Sequence, residues 1–194
     1  MPRRAEHCHL SNAALEWING ELLGDGHLRC LSFRSAKFMC SSKHLEYINY
    51  ISDTLAQFGI MQAGKIQRRV TCSVTYCYDS LSYTDLLDVW FAWYVYGSKQ
   101  IPKDLELTPI VCRQWYIGDG SICKTSAKNP YLRIATQGFP VIDVLGLVIK
   151  LKQLGFVANR NSDNTLLIPV ESAKDFLRYI GKCPAECYEY KWDY

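Results

Sequence analysis

The sequence predicts an α+β protein made of two repeated half-domains, each running helix, two strands, helix, two strands, helix. Three observations carry this. A Gly-Asp-Gly motif that closes an apolar stretch occurs twice, with Asp25 and Asp119 standing 94 positions apart. A second amphipathic stretch follows each motif and ends on a glycine flanked by apolar residues. Strand-like segments and a third helical pattern then follow in the same order in both copies. Self-similarity of this kind sets the architecture before any single element does, because each copy is one supersecondary unit.

The first motif helix ends in Ile18-Asn19-Gly20-Glu21-Leu22-Leu23-Gly24-Asp25-Gly26, and its counterpart in Cys112-Arg113-Gln114-Trp115-Tyr116-Ile117-Gly118-Asp119-Gly120. A hairpin is expected next, over 28–40 and 121–136. The middle helices, 44–60 and 139–156, show apolar residues every three to four positions: Leu45, Ile48, Ile51, Leu55 and Phe58, then Val141, Val144, Leu145, Val148, Leu151 and Leu154. That period gives a helix one buried face. Gly59 and Gly155 read as their C-terminal caps. Strand pairs are expected over 65–70 with 71–78, and 157–160 with 165–168, followed by third helices near 82–96 and 171–180. A short connection over 97–104 carries turn signals, and Thr108-Pro109 opens the second copy with an N-cap residue and a first-turn proline. The boundary between half-domains is therefore placed between 104 and 105, and a link this short implies that the halves pack as one body.

Composition excludes several classes. No apolar run approaches the roughly 18 residues of a membrane span, so no membrane role is expected. The N-terminal residues do not resemble a secretory signal, which predicts an intracellular protein with its nine cysteines reduced. Cys40, Cys72, Cys77 and Cys112 lie in apolar or strand-like stretches and read as small hydrophobes. Zinc would need paired short spacings, and only Cys183 with Cys187 offers one, His7-Cys8-His9 being a distant second. A net charge of +3 and a pI of 8.3 fit a nucleic-acid partner without requiring one.

A lone Gly-Asp-Gly is a common turn. Two of them closing repeated apolar helices leave a second reading open. Gly20 and Gly24 share a helical face, and a helix that spends two glycines there, at about 1 kcal/mol each, needs a packing reason. If the two motif helices cross closely, Asp25 and Asp119 emerge side by side, an arrangement best tolerated around a divalent cation. Other phosphate and metal motifs fit worse: Gly64-Lys65 is followed by Ile66 rather than Ser or Thr, the residues after Asp25 supply too few oxygen ligands for an EF-hand, and no HExxH is present.

Both nonapeptides resemble the LAGLIDADG motif, and the likeness extends from about Leu15 to Lys191 through Leu107-Thr108-Pro109, Trp115-Tyr116, Asp119-Gly120-Ser121 and Thr136-Gln137-Gly138-Phe139. The chain looks like a single-chain, two-motif homing endonuclease. The resemblance implies two αββαββα half-domains related by a pseudo-twofold axis, with antiparallel sheets forming a saddle over DNA. It implies that Asp25 and Asp119 are catalytic metal ligands, with Gly24 and Gly118 beside them in the metal site. Lys99, in Lys-x-Ile-Pro, and Lys191, in Tyr-Lys, match active-site lysines of the same branch. Mg²⁺ is the implied cofactor, with Mn²⁺ able to substitute and Ca²⁺ binding without supporting cleavage.

The implied reaction is hydrolysis of both strands of a long asymmetric duplex site by one monomeric chain. Contacts to bases and phosphates are expected from the strands and their loops: Arg29, Arg34, Lys37, Lys65, Gln67, Arg68, Arg69, Lys124, Lys128, Arg133, Gln137 and Arg160. A maturase binding its host intron RNA, or a non-cleaving DNA-binding protein, are the alternatives on this fold, and retention of both aspartates and both lysines argues against them. The implied setting is organellar or prokaryotic DNA. One departure matters: Gln114 and Trp115 stand where the first copy has Gly20 and Glu21, so the helix crossing is expected to be looser on one side and the two active sites unequal.

Overall fold

The computed structural model describes residues 6–30, 33–124 and 130–194. In the first half, α1 (Asn12–Leu23), β1 (His27–Cys30), β2 (Ala36–Ser42), α2 (Leu45–Gln57), β3 (Gln67–Val70), β4 (Val74–Asp79) and α3 (Asp85–Trp93) follow the predicted order. In the second, α4 (Pro109–Asp119), β7 (Gly120–Lys124), β8 (Pro130–Ile134), α5 (Val141–Gln153), β9 (Asn159–Arg160), β10 (Leu166–Ile168) and α6 (Val170–Ile180) repeat it. Each half forms a four-stranded antiparallel sheet, ordered β1-β2-β4-β3 and β7-β8-β10-β9.

The motif helices start where their caps dictate. The Ser11 side chain accepts from Ala14 N at 3.2 Å, and the Thr108 hydroxyl accepts from Val111 N at 3.3 Å with Pro109 in the first turn. Gly59 and Gly155 follow the ends of α2 and α5 at φ of 77° and 90°, a conformation that favours glycine. Phe38, Ile48, Tyr78, Leu132, Ile134, Leu147 and Phe176 are buried between sheets and helices, in one apolar cluster that runs through both halves.

The structure departs from the sequence expectations in four places. The third helix of the first half stops at Trp93 instead of 96, and the chain turns into a short hairpin, β5 (Tyr94–Val95) and β6 (Ser98–Lys99). Tyr96 and Gly97, both at positive φ, make its two-residue turn, a geometry matched to strand twist. On α5 the buried stripe is Val144, Leu147, Val148 and Leu151, while Val141, Leu145 and Leu154 are exposed, as is Leu45 at the start of α2. The α5 helix is apolar on more than one face, so its period alone could not orient it. Cys72 lies exposed in the β3–β4 turn, although all nine cysteines are free thiols. Finally, an unpredicted 3-10 helix, Glu186–Lys191, carries the C-terminal lysine.

Candidate active site

The α1 and α4 helices cross at two levels. At the first, Gly20 faces Gln114, and a Cβ on Gly20 would lie 2.6 Å from the Val111 carbonyl oxygen and 2.7 Å from Gln114 Cβ. At the second, Gly24 faces Gly118, and a Cβ on Gly118 would lie 3.3 Å from Gly24 Cα and 3.2 Å from Asp25 N. The expected loosening on one side is therefore not found. Gly20 and Gln114 occupy equivalent positions of the repeat, but at a twofold crossing equivalent positions touch each other. One glycine makes room for the other copy's glutamine.

This crossing brings Asp25 and Asp119 out at one end. Asp25 opens to solvent at the mouth, and Asp119 is half-buried as the last residue of α4. Partial enclosure by the crossed helices desolvates both carboxyls and holds them above the usual range. Asp119 is pushed up to about 7, first by burial and then by the charge of Asp25, with Lys191 and Lys99 opposing.

The two lysines enter from different elements and settle on main-chain oxygens. Lys99, delivered by the β5–β6 hairpin, donates from Nζ to the Gly26 carbonyl at 2.8 Å. Tyr94, its register partner, accepts from Leu28 N at 3.0 Å and so fastens the hairpin to the first sheet. Burial lowers the Lys99 ammonium to about 8 against the pull of Asp119 and Asp25. Lys191 is buried and donates to the carbonyls of Ile117 at 2.5 Å and Gly118 at 3.0 Å. The Tyr116 hydroxyl donates to the Lys191 carbonyl at 2.8 Å and anchors the 3-10 helix to α4. A cleft of about 240 Å³ beside Lys99 and Asp119 is lined by Leu23, Gly24, Gln137 and Phe139, so Gln137 belongs to this cleft rather than to a sheet.

Behind the aspartates lies a buried polar network that sequence reasoning did not assemble. Glu21 accepts from the Tyr47 hydroxyl at 2.6 Å. With the amide of Gln114 oriented to satisfy its neighbours, its nitrogen donates to Glu21 Oε1 at 3.1 Å and its oxygen accepts from Tyr50 and from the Trp17 indole. Complete burial pushes the Glu21 carboxyl up to about 8. His27, two residues past Asp25 on the outer face of β1, was also overlooked, and burial and then Lys99 hold its imidazole below the usual range.

The outer face of the first sheet carries His27, Arg29, Lys37, Gln67 and Arg69, because their neighbours Leu28, Phe38 and Tyr78 fill the core. Arg68 lies in register with Tyr76 on the opposite side, exposed where β3 overhangs the core. In the second half Arg133 faces outward between buried Leu132 and Ile134. Arg160 is instead tied by Nη1 to the Asn161 carbonyl and Asn164 Oδ1, at 3.2 and 3.3 Å, since its register partner is the buried Leu166. Arg34 and Lys65 are exposed in connections, and Lys124 lies 3.8 Å from Asp193. Lys128 falls outside the described residues. Among the described residues, no group of three or more His, Cys, Asp or Glu side chains gathers to hold an ion. Cys183 and Cys187 are held protonated by burial, Cys187 at about 11. Nor is any helix long and apolar enough to cross a membrane, among the described residues.

Residues 15–176 match the LAGLIDADG DNA endonuclease family. The chain belongs to that family. An uncharacterised relative in Methanocaldococcus jannaschii, MJ1098, is 30% identical over 152 residues, which cover 75% of this chain and 58% of the relative. This LAGLIDADG chain thus spans less than two thirds of that relative's length. The homing endonuclease I-WcaI bound to its DNA recognition sequence superposes with a TM-score of 0.78 at 20% identity, covering 94% of this chain and 86% of that one. The G20S form of I-DmoI, in complex with its target DNA in the presence of Mg, gives 0.55 at 17% identity, covering 86% and 96%. The likeness shows the LAGLIDADG fold, two antiparallel sheets joined through the crossed motif helices.

Proposed function

We propose that this protein is a site-specific homing endonuclease that acts as a single chain on a long asymmetric duplex and hydrolyses one phosphodiester in each strand. The observation that carries the reading is the crossing of α1 and α4. It gathers two carboxylates and two lysines at one point, between two sheets whose outer faces bear basic side chains. I-WcaI and I-DmoI, which share the fold, are both found on their target DNA.

The donor set fits a hard divalent ion. Asp25 and Asp119 offer oxygen ligands with the Gly24 and Gly118 carbonyls nearby, and both carboxyls are raised, first by burial and at Asp119 also by the charge of Asp25, a cost that a bound cation would offset. Mg²⁺, or Mn²⁺ in its place, would be held by Asp25 and Asp119, where it would supply a polarised water and stabilise the leaving 3′ oxygen. Asp25 and Asp119 would hold that ion in place at the end of the helix crossing. Lys99 and Lys191 are fixed in direction by their carbonyl partners and offset the negative charge that builds on the phosphorus centre. Gln137 and Phe139 line one side of the cleft.

The test is a randomised duplex library, selected for binding and then incubated with Mg²⁺. Cutting of the selected duplex in both strands is the expected result. Selection of a duplex that is bound and never cut overturns the enzyme reading, and tight binding to a host intron RNA in its place would assign the chain to the maturases.

A further inference from the structure

The basic side chains of the saddle are of two kinds. Lys37 on β2 lies 2.8 Å from Asp79 on β4, the two side chains 19% and 22% exposed. Arg133 on β8 is hydrogen-bonded through Nη2 to Asp163, and its Nε donates to Thr165 Oγ1 at 3.2 Å. Asp163 is itself fixed by the Thr165 hydroxyl and amide, at 2.6 and 3.2 Å. Arg34, in the β1–β2 connection, and Lys65, just ahead of β3, are exposed, and among the described residues neither has a carboxylate within ion-pair distance.

These two kinds suit different parts of DNA. Phosphate binding is driven by neutralisation and the release of condensed counterions. A cation already matched by a carboxylate gains little from it and carries an anion toward the phosphate. At a base edge the pair is an advantage, because the major groove offers donors and acceptors side by side. With Nε and one Nη2 hydrogen engaged, Arg133 keeps both Nη1 hydrogens and the second Nη2 hydrogen; one Nη1–H and that Nη2–H run parallel and match O6 and N7 of guanine. Lys37 keeps two ammonium hydrogens next to Asp79 Oδ1, a donor beside an acceptor that matches guanine O6 beside cytosine N4. Both arrangements exist before DNA arrives, so little side-chain freedom is lost on binding.

We propose that carboxylate pairing divides the labour among the basic residues of the saddle. Arg133, held by Asp163 and Thr165, and Lys37, held by Asp79, read G·C pairs in the major groove, whereas Arg34 and Lys65 hold phosphates. The division rests on the DNA endonuclease reading and assigns Asp79, Asp163 and Thr165 a part in sequence recognition.

The experiment measures dissociation constants of the full chain for its selected duplex and for single-base variants of it, across a series of KCl concentrations without divalent metal. Arg133→Gln is expected to lose about ten-fold discrimination for guanine at one position and to keep the wild-type salt slope. Lys65→Gln is expected to weaken all sequences alike and to flatten the log–log salt slope by about 0.9. Asp163→Asn frees the Arg133 charge, so it steepens the slope while relaxing the same position. Lys65 is exposed and Arg133 and Asp163 are about half exposed, and melting curves check that each variant folds. The division is overturned if Arg133→Gln flattens the slope and leaves base preference intact, or if Asp163→Asn changes neither. Failure of the wild-type chain to bind any duplex overturns the endonuclease reading with it, whereas binding with the wrong pattern of slopes overturns the division alone.

Discussion

The two half-domains share a backbone plan but differ in the side chains behind their aspartates. In the first, Glu21 stands one helical turn before Asp25 and is enclosed by Tyr47 and Gln114. In the second, the equivalent place is filled by Trp115, which is fully buried. The lysines differ as well, since Lys99 rides on a β-hairpin and rests on Gly26, while Lys191 rides on a 3-10 helix and rests on Ile117 and Gly118. The repeat fixes where the two carboxylates meet. What each half adds around its own carboxylate is free to diverge, because a single chain, unlike a homodimer, can change one copy without changing the other.

The largest effect that separates the halves is expected from the lysines. On the selected duplex, Lys99→Met and Lys191→Met should each slow cleavage by about 10²-fold or more, but each should slow one strand more than the other, and opposite strands in the two variants. Strand-resolved gels check this, and equal slowing of both strands by both variants would break the comparison. Next comes the crossing. Gly20→Ala forces a methyl against the Val111 carbonyl and Gln114, and should cost about 1–3 kcal/mol as an overpacked contact. Thermal melting reads that as a drop of several degrees.

The Glu21 network predicts a pH signature for the first half. The folded protein holds a proton on Glu21 up to about pH 8, whereas the unfolded chain releases it near 4.5. The stability linked to that proton is fully present below pH 4.5 and is lost as the pH rises toward 8. Glu21→Gln keeps an acceptor for Tyr47 and cannot ionise, so the melting temperature of the variant relative to wild type should climb between pH 4.5 and 8. A constant difference across that range would mean that Glu21 is not held protonated. The smallest effect is expected on α5, where Gly146 has open space around it. Gly146→Ala should stabilise the protein by up to about 1 kcal/mol, the opposite sign to Gly20→Ala.

Much of this was legible in the sequence, because helix periodicity, capping residues and the repeated motif are local signals. The order of elements, the caps at Thr108, Gly59 and Gly155, and the meeting of Asp25 with Asp119 all follow from such signals. The hairpin carrying Lys99 was hidden because the apolar pattern of α3 runs on through Tyr94, Val95 and Tyr96, and only the Tyr96-Gly97 turn interrupts it. Partnerships across elements were not legible. Glu21 gains Tyr47 from α2 and Gln114 from α4, and Lys37 and Arg133 gain their carboxylates from neighbouring strands and turns whose register no local pattern reveals. The facing of Gly20 and Gln114 was misjudged for a similar reason. A repeat shows which positions are equivalent, and the symmetry axis decides which of them touch.

The joint role of the two aspartates is tested most directly by a time course on a supercoiled plasmid carrying the selected site, in Mg²⁺, with wild type, Asp25→Asn and Asp119→Asn. Wild type is expected to linearise the plasmid, while both variants still bind the site and give no linear product. Linear product from either variant at the wild-type rate, or an intact plasmid with wild type bound to it, would contradict that joint role.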